Sequence, residues 1–195
     1  MHPITDMRLV PFLALAAALA ACARGDEDRV RHYAMAQLGL PAPAMRITPR
    51  TELTGDDNDF FQVTADKGRS LVVVVPSVGP IFDARTAGAF DRVARAEHAT
   101  ERLSQLGAER VAAWFGALGG GVCPPPPLDQ AHFTEVIRNP DGSVAISYPA
   151  GRERKLGVER TCVFELAPDG ALKSGRTVEV SAPRAASSWK RESHE

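Results

Sequence analysis

The chain has 195 residues, 44% of them hydrophobic, and its 23 basic and 24 acidic side chains leave a net charge of −1. That length supports one domain with its own core more comfortably than two. The near-neutral balance argues against a nucleic-acid partner, because neutralising phosphates takes clustered Lys and Arg.

Taken in order, the first feature is an apolar run over residues 10–21, preceded by Arg8 and closing in small residues. A bilayer-crossing helix needs about 20 apolar residues. The run is too short to span and has the length and flanks of a secretory signal peptide. Its basic flank is thin, since Asp6 neighbours Arg8, and initiation at Met7 in place of Met1 gives a cleaner signal. The run ends on Leu19-Ala20-Ala21-Cys22, which resembles the lipobox of bacterial lipoproteins: an aliphatic residue, two small residues, then the cysteine that becomes the new N-terminus. The resemblance covers only the first two dozen residues. It implies that residues 1–21 are removed and that Cys22 carries a diacylglyceryl thioether and an acylated amine. Two or more acyl chains make a stable membrane anchor where one does not. In such lipoproteins an Asp after the cysteine often signals inner-membrane retention, so Ala23 implies the outer membrane, facing the periplasm. The alternative is an ordinary cleaved signal with Cys22 merely close to the cut.

Setting Cys22 aside leaves Cys123 and Cys162. In an oxidising compartment an even pair reads as a disulfide, and a closed loop of this size is worth about 4 kcal/mol in chain entropy. Structural zinc wants four ligands and the chain has no Cys-x-x-Cys, so no metal is expected at these thiols.

Residues 22–25 read as a short tether. At about 3.5 Å per extended residue it holds the folded body within some 10–15 Å of the membrane. Asp26 suits an N-cap, and Val30, Tyr33, Ala34, Gln37 and Leu38 give a helical stripe over residues 27–38, stopped by Gly39 and Pro41. Residues 41–59 read as irregular connection. Strands are expected over 60–64 and 71–76 around the turn at 65–69, and the all-apolar Leu71-Val72-Val73-Val74-Val75 suits a central strand covered on both faces.

The longest helical region is 85–118, expected as one bent helix or two joined near Gly107. Gly119-Gly120-Gly121 ends it, and Pro124 to Pro127 make a stiff spacer. Strands over 133–138, 143–148, 161–166 and 176–181 form a meander, with Asn139-Pro140-Asp141-Gly142 and Ala167-Pro168-Asp169-Gly170 as turn signals. The tail from residue 183 is polar around Trp189 and reads as disordered. The fold class is α+β: a short N-terminal helix, a β-hairpin, a long helix packed on antiparallel sheet, and a C-terminal four-stranded meander, forming a single domain over 26–182.

Signals for chemistry are sparse. There is no Gly-x-Ser-x-Gly elbow. The Lys173-Ser174-Gly175 triplet and the Ser187/Lys190 spacing match motifs of penicillin-interacting enzymes only in fragments and in reversed order. Asp56-Asp57-Asn58-Asp59 lacks the frame of a calcium loop, because Phe60-Phe61 interrupts it. His32, His98, His132 and His194 are scattered away from metal spacing. Glu97-His98 is the best acid–base pair on offer. No catalytic, cofactor-binding or metal-binding residues are assigned.

Two surfaces remain for recognition. One is the basic connection holding Arg152, Arg154, Lys155 and Arg160; the other is the loop 119–128 beside Cys123. The expected function is a non-catalytic envelope lipoprotein that binds a protein partner in the periplasm, a class that includes inhibitors and immunity proteins. A structural accessory of an envelope assembly is a second reading. A small hydrolase using Glu97 and His98, or Asp59, is a third.

Overall fold

Val30 and Ala34, one turn apart, give residues 25–37 the inward stripe of helix α1 and are both fully buried. The structure, a computed structural model, describes residues 25–37, 39–65, 68–126, 134–153 and 158–181. The expected signal peptide, Cys22, most of the tether, Arg154, Lys155 and the tail from 183 lie outside the described residues. Helices accompany two antiparallel four-stranded sheets, so the class is α+β. The span 26–182, read from the sequence as one domain, belongs to two compact units that divide between Glu97 and His98. Each half carries its own sheet.

In the first unit β1 (Met45–Pro49), β2 (Asn58–Ala65), β3 (Ser70–Pro76) and β4 (Phe82–Asp83) pair in chain order. The expected hairpin is β2–β3, in register Phe61 to Val73 and Val63 to Leu71. Those four residues, with Val75, Met45 and the α1 pair Val30 and Ala34, form one apolar cluster that also takes in Tyr33 and Leu40. The run Leu71 to Val75 sits between two partner strands, and Val73 and Val74, pointing to opposite faces, are both fully buried. Strand β1 corrects the expectation of an irregular 41–59. Met45 and Ile47 alternate with Arg46 and Thr48 there, and Pro49 is tolerated because it ends an edge strand.

The long helix is also corrected. Residues 85–118 hold α2 (Ala89–Ala96), α3 (Leu103–Leu106) and α4 (Ala108–Leu118). Gly107, at φ 84°, parts α3 from α4 as the sequence suggested. The earlier break follows Glu97, the C-cap of α2, and His98 takes the left-handed φ of 50°.

In the second unit β5 (Glu135–Arg138), β6 (Val144–Glu153), β7 (Val158–Leu166) and β8 (Leu172–Ser181) form the expected meander. Strands β6 and β7 extend past the expected ends through a register shift between Pro149 and Gly151. Helix α4 lies on this sheet, with Phe115 stacked on Phe164 at 4.3 Å between ring centroids and Tyr148 edge-on to Phe164 at 6.4 Å. Gly175, across from Phe164, leaves room for that stack: a Cβ there would lie 2.6 Å from Phe115 Cζ. Among the described residues no helix is long and apolar enough to cross a membrane.

Candidate functional site

The loop that follows α4 is tied to the sheet of the second unit at several points. Gly120 and Gly121 turn it through two consecutive left-handed conformations, at φ 70° and 80°, which a β-carbon would strain. Cys123 is then joined to Cys162 of β7 by a disulfide, with Cα atoms 5.9 Å apart. Two hydrogen bonds flank the bridge. Thr177 Oγ1 donates to the Val122 carbonyl at 3.0 Å, and Tyr148 Oη donates to the Pro124 carbonyl at 2.8 Å. Tyr148 is fully buried, and that burial pushes its phenol well above the ordinary value. The loop also presses against its own helix, since a Cβ on Gly116 would meet Pro125 at 2.3 Å. Beside these anchors Val122 stays 45% exposed. An apolar side chain is thus held outward on backbone fixed at its own carbonyl and at the two residues that follow.

Glu97 has a different role from the one its sequence neighbourhood suggested. Its side chain is fully buried, and its carboxylate accepts from the backbone N–H of Asp56 and of Asp57 and from Asn58 Nδ2, each at 2.9 Å. Gly55 is required beside it, because a Cβ there would fall 2.2 Å from Glu97 Oε1. The residue therefore fixes the 55–58 loop onto the end of α2. His98 side chain is 62% exposed, with Nδ1 3.8 Å from Glu101 Oε2. The two halves of the expected acid–base pair face opposite environments, one spent on backbone donors and the other in solvent. Asp59 lies on β2 with its residue surface largely open, and partial desolvation of the carboxyl followed by the nearby Asp26 charge raises its pKa.

The basic connection is only partly described. Arg152 stands opposite Glu159 in the β6–β7 ladder, and Arg160 Nε donates to Glu179 Oε1 of β8 at 2.9 Å. Arg160 thus serves a cross-strand ion pair on the sheet.

Two polar clusters escaped the sequence reading. In the first unit the buried Asp83 accepts from Tyr33 Oη at 2.8 Å and from Arg85 Nε and Nη2 at 3.2 and 3.1 Å. Burial pushes Asp83 up, but the Arg85 hydrogen bonds outweigh it and hold the carboxyl below its usual range. Burial and the bond to Asp83 push Tyr33 up to about 12. In the second unit Lys173, noticed only within an enzyme-like triplet, reaches Glu165 at 2.7 Å and Asp141 at 3.3 Å. Ser143 Oγ lies 2.7 Å from Asp141 Oδ1 and 2.8 Å from Glu165 Oε1. Hydrogen bonds from the Ser143 side chain and backbone hold Asp141 down at about 2. The Asn139 to Gly142 turn signalled that cluster, because an Asp at that place bonds the backbone two residues on.

No protein-family model, no curated protein and no solved structure matches this chain.

Proposed function

We propose that this protein is a non-catalytic, lipid-anchored protein of the bacterial envelope that binds a partner protein through the loop 119–126. The observation that carries the reading is Val122, exposed on backbone fixed by the Cys123–Cys162 disulfide and by the Thr177 and Tyr148 hydrogen bonds. Ordering a loop before it meets its target removes an entropic cost from association. The disulfide supports an oxidising compartment. The lipobox resemblance at Leu19 to Cys22 supports a membrane anchor, and Ala23 supports the outer membrane. Inhibitors and immunity proteins that meet their target in the periplasm fall within this reading.

The test has two arms. Radiolabelled palmitate should enter the protein, and Cys22→Ser should abolish the label and release the chain from the membrane fraction. A photo-crosslinking side chain at position 122 should give one adduct of discrete mass in intact cells, while the same probe at exposed Val78 should not. Crosslinking at 78 with none at 122 would remove the loop from the proposal, and unchanged fractionation of the serine variant would remove the anchor.

A further inference from the structure

Helix α1 covers the sheet of the first unit incompletely. Val30 and Ala34 lie in the cluster with Phe61, Val73 and Val75, and the chain has left the helical conformation by Gly39, with Leu40 N–H closing onto the Ala34 carbonyl at 3.4 Å. The cross-strand pair Val63 and Leu71, at the far end of the hairpin, is left beside a cavity of about 280 Å³. Among the described residues its lining is Leu40, Val63, Arg69, Ser70, Leu71 and Arg85, so an apolar floor carries two guanidinium groups.

The two cations differ. Arg85 spends Nε and one Nη2 proton on Asp83, which leaves donors on Nη1. Asp83 balances its charge. Arg69 is exposed and has no ion-pair partner among the described residues. It precedes β3 with the parity of Leu71, which places it on the same face of the sheet as the cavity floor. Among the described residues, therefore, no carboxylate pairs with the Arg69 charge beside this apolar hollow. The volume lies just below the roughly 300–1,000 Å³ of small-ligand sites, which suits a short chain better than a ring system or a peptide.

We propose that this cavity binds a free monoacyl anion, with its aliphatic chain on Leu40, Val63 and Leu71 and its carboxylate on Arg69 and the spare donors of Arg85. The complementarity is of both kinds, apolar area to methylenes and guanidinium to carboxylate, and an Arg fork is matched to a carboxylate geometrically. This site is separate from the partner-binding loop, so either proposal stands or falls alone.

The experiment titrates decanoate into the full chain carrying Cys22→Ser, followed by calorimetry and by amide chemical shifts at Leu40, Val63 and Leu71. Saturable binding with shifts confined to those residues is expected. Arg69→Ala should weaken it about tenfold, the loss of one charge-assisted contact, and Leu71→Trp should abolish it by filling the hollow. Decanol should bind more weakly than decanoate by a similar factor. The proposal is overturned by absence of saturation, by equal affinity for decanol, by an unaffected Arg69→Ala variant, or by binding seen only to phosphatidylglycerol vesicles. Circular dichroism of Leu71→Trp guards against misfolding, and the exposed Arg69 keeps the test decisive if that variant fails to fold.

Discussion

Removing the Glu97 carboxylate should destabilise the first unit more than any surface change of the same size. Glu97→Ala leaves three donors without an acceptor: two backbone N–H groups and the Asn58 amide. The penalties differ. Asp56 is exposed and Asp57 half-exposed, so water reaches both amides; Asn58 is only 4% exposed and keeps the full cost of an unmet buried donor. That cost is about 1–3 kcal/mol, and partial loss at the two loop amides with the void left by the side chain brings the sum to about 3 kcal/mol. For a chain of this length the midpoint of thermal unfolding should fall by about 6–12 °C. Glu97→Gln preserves shape and one acceptor oxygen but turns an NH2 toward a donor, and should cost about half as much. Gly55→Ala attacks the same contact from the other side, since its Cβ would lie 2.2 Å from Glu97 Oε1. Thermal melts and urea titrations supply the stabilities, and hydrogen exchange reads the Asp56 and Asp57 amides directly. A Glu97→Ala protein within about 0.5 kcal/mol of the parent, with those two amides still protected, would refute the account of Glu97 as the anchor of the loop.

Replacing both Cys123 and Cys162 by serine should lower stability by up to about 4 kcal/mol, read from urea titration of the two proteins. Asp141 and Glu165 both have folded pKa values below their ordinary ones. Their contribution is complete above pH about 4 and is lost as pH falls toward about 2, so Asp141→Asn should flatten the acid side of a plot of melting temperature against pH. Tyr33 titrates the other way. Its raised value means stability is full below pH about 10 and is lost toward 12, and Tyr33→Phe should reduce that alkaline decline while costing about 1 kcal/mol at neutrality.

What the sequence disclosed follows from how far apart the interacting residues lie. The meander was legible because Val144, Ile146 and Tyr148, and then Cys162, Phe164 and Leu166, alternate over strands joined by turns whose chemistry is local. All six are buried. The disulfide was legible from cysteine parity together with the expected oxidising compartment. Strand β1 was not, because five residues ending in proline give too short an alternation to separate from loop. The break after α2 was invisible for a different reason. Glu97 continues a helical pattern, and only the donors of residues 56–58, about 40 positions earlier, turn it inward. The charge on Glu97 drew notice as potential chemistry, and burial with three donors assigns it to architecture instead.

Both units solve one problem in two ways, and the difference bears on function. Each contains an irregular loop beside a helix end, at 55–58 and at 119–126, and each loop is fixed by long-range contacts that include one distinctive link. In the first the link is a buried carboxylate and the loop presents Asp56 and Asp57, strongly hydrated groups that lose water only at a cost. In the second the link is covalent and the loop presents Val122, whose burial against a partner releases water at about 25 cal/mol per Å². A fixed apolar side chain gains from contact, whereas a fixed acidic one needs a cation to compensate it. The disulfide-held loop is for that reason the surface on which a protein partner should first be sought.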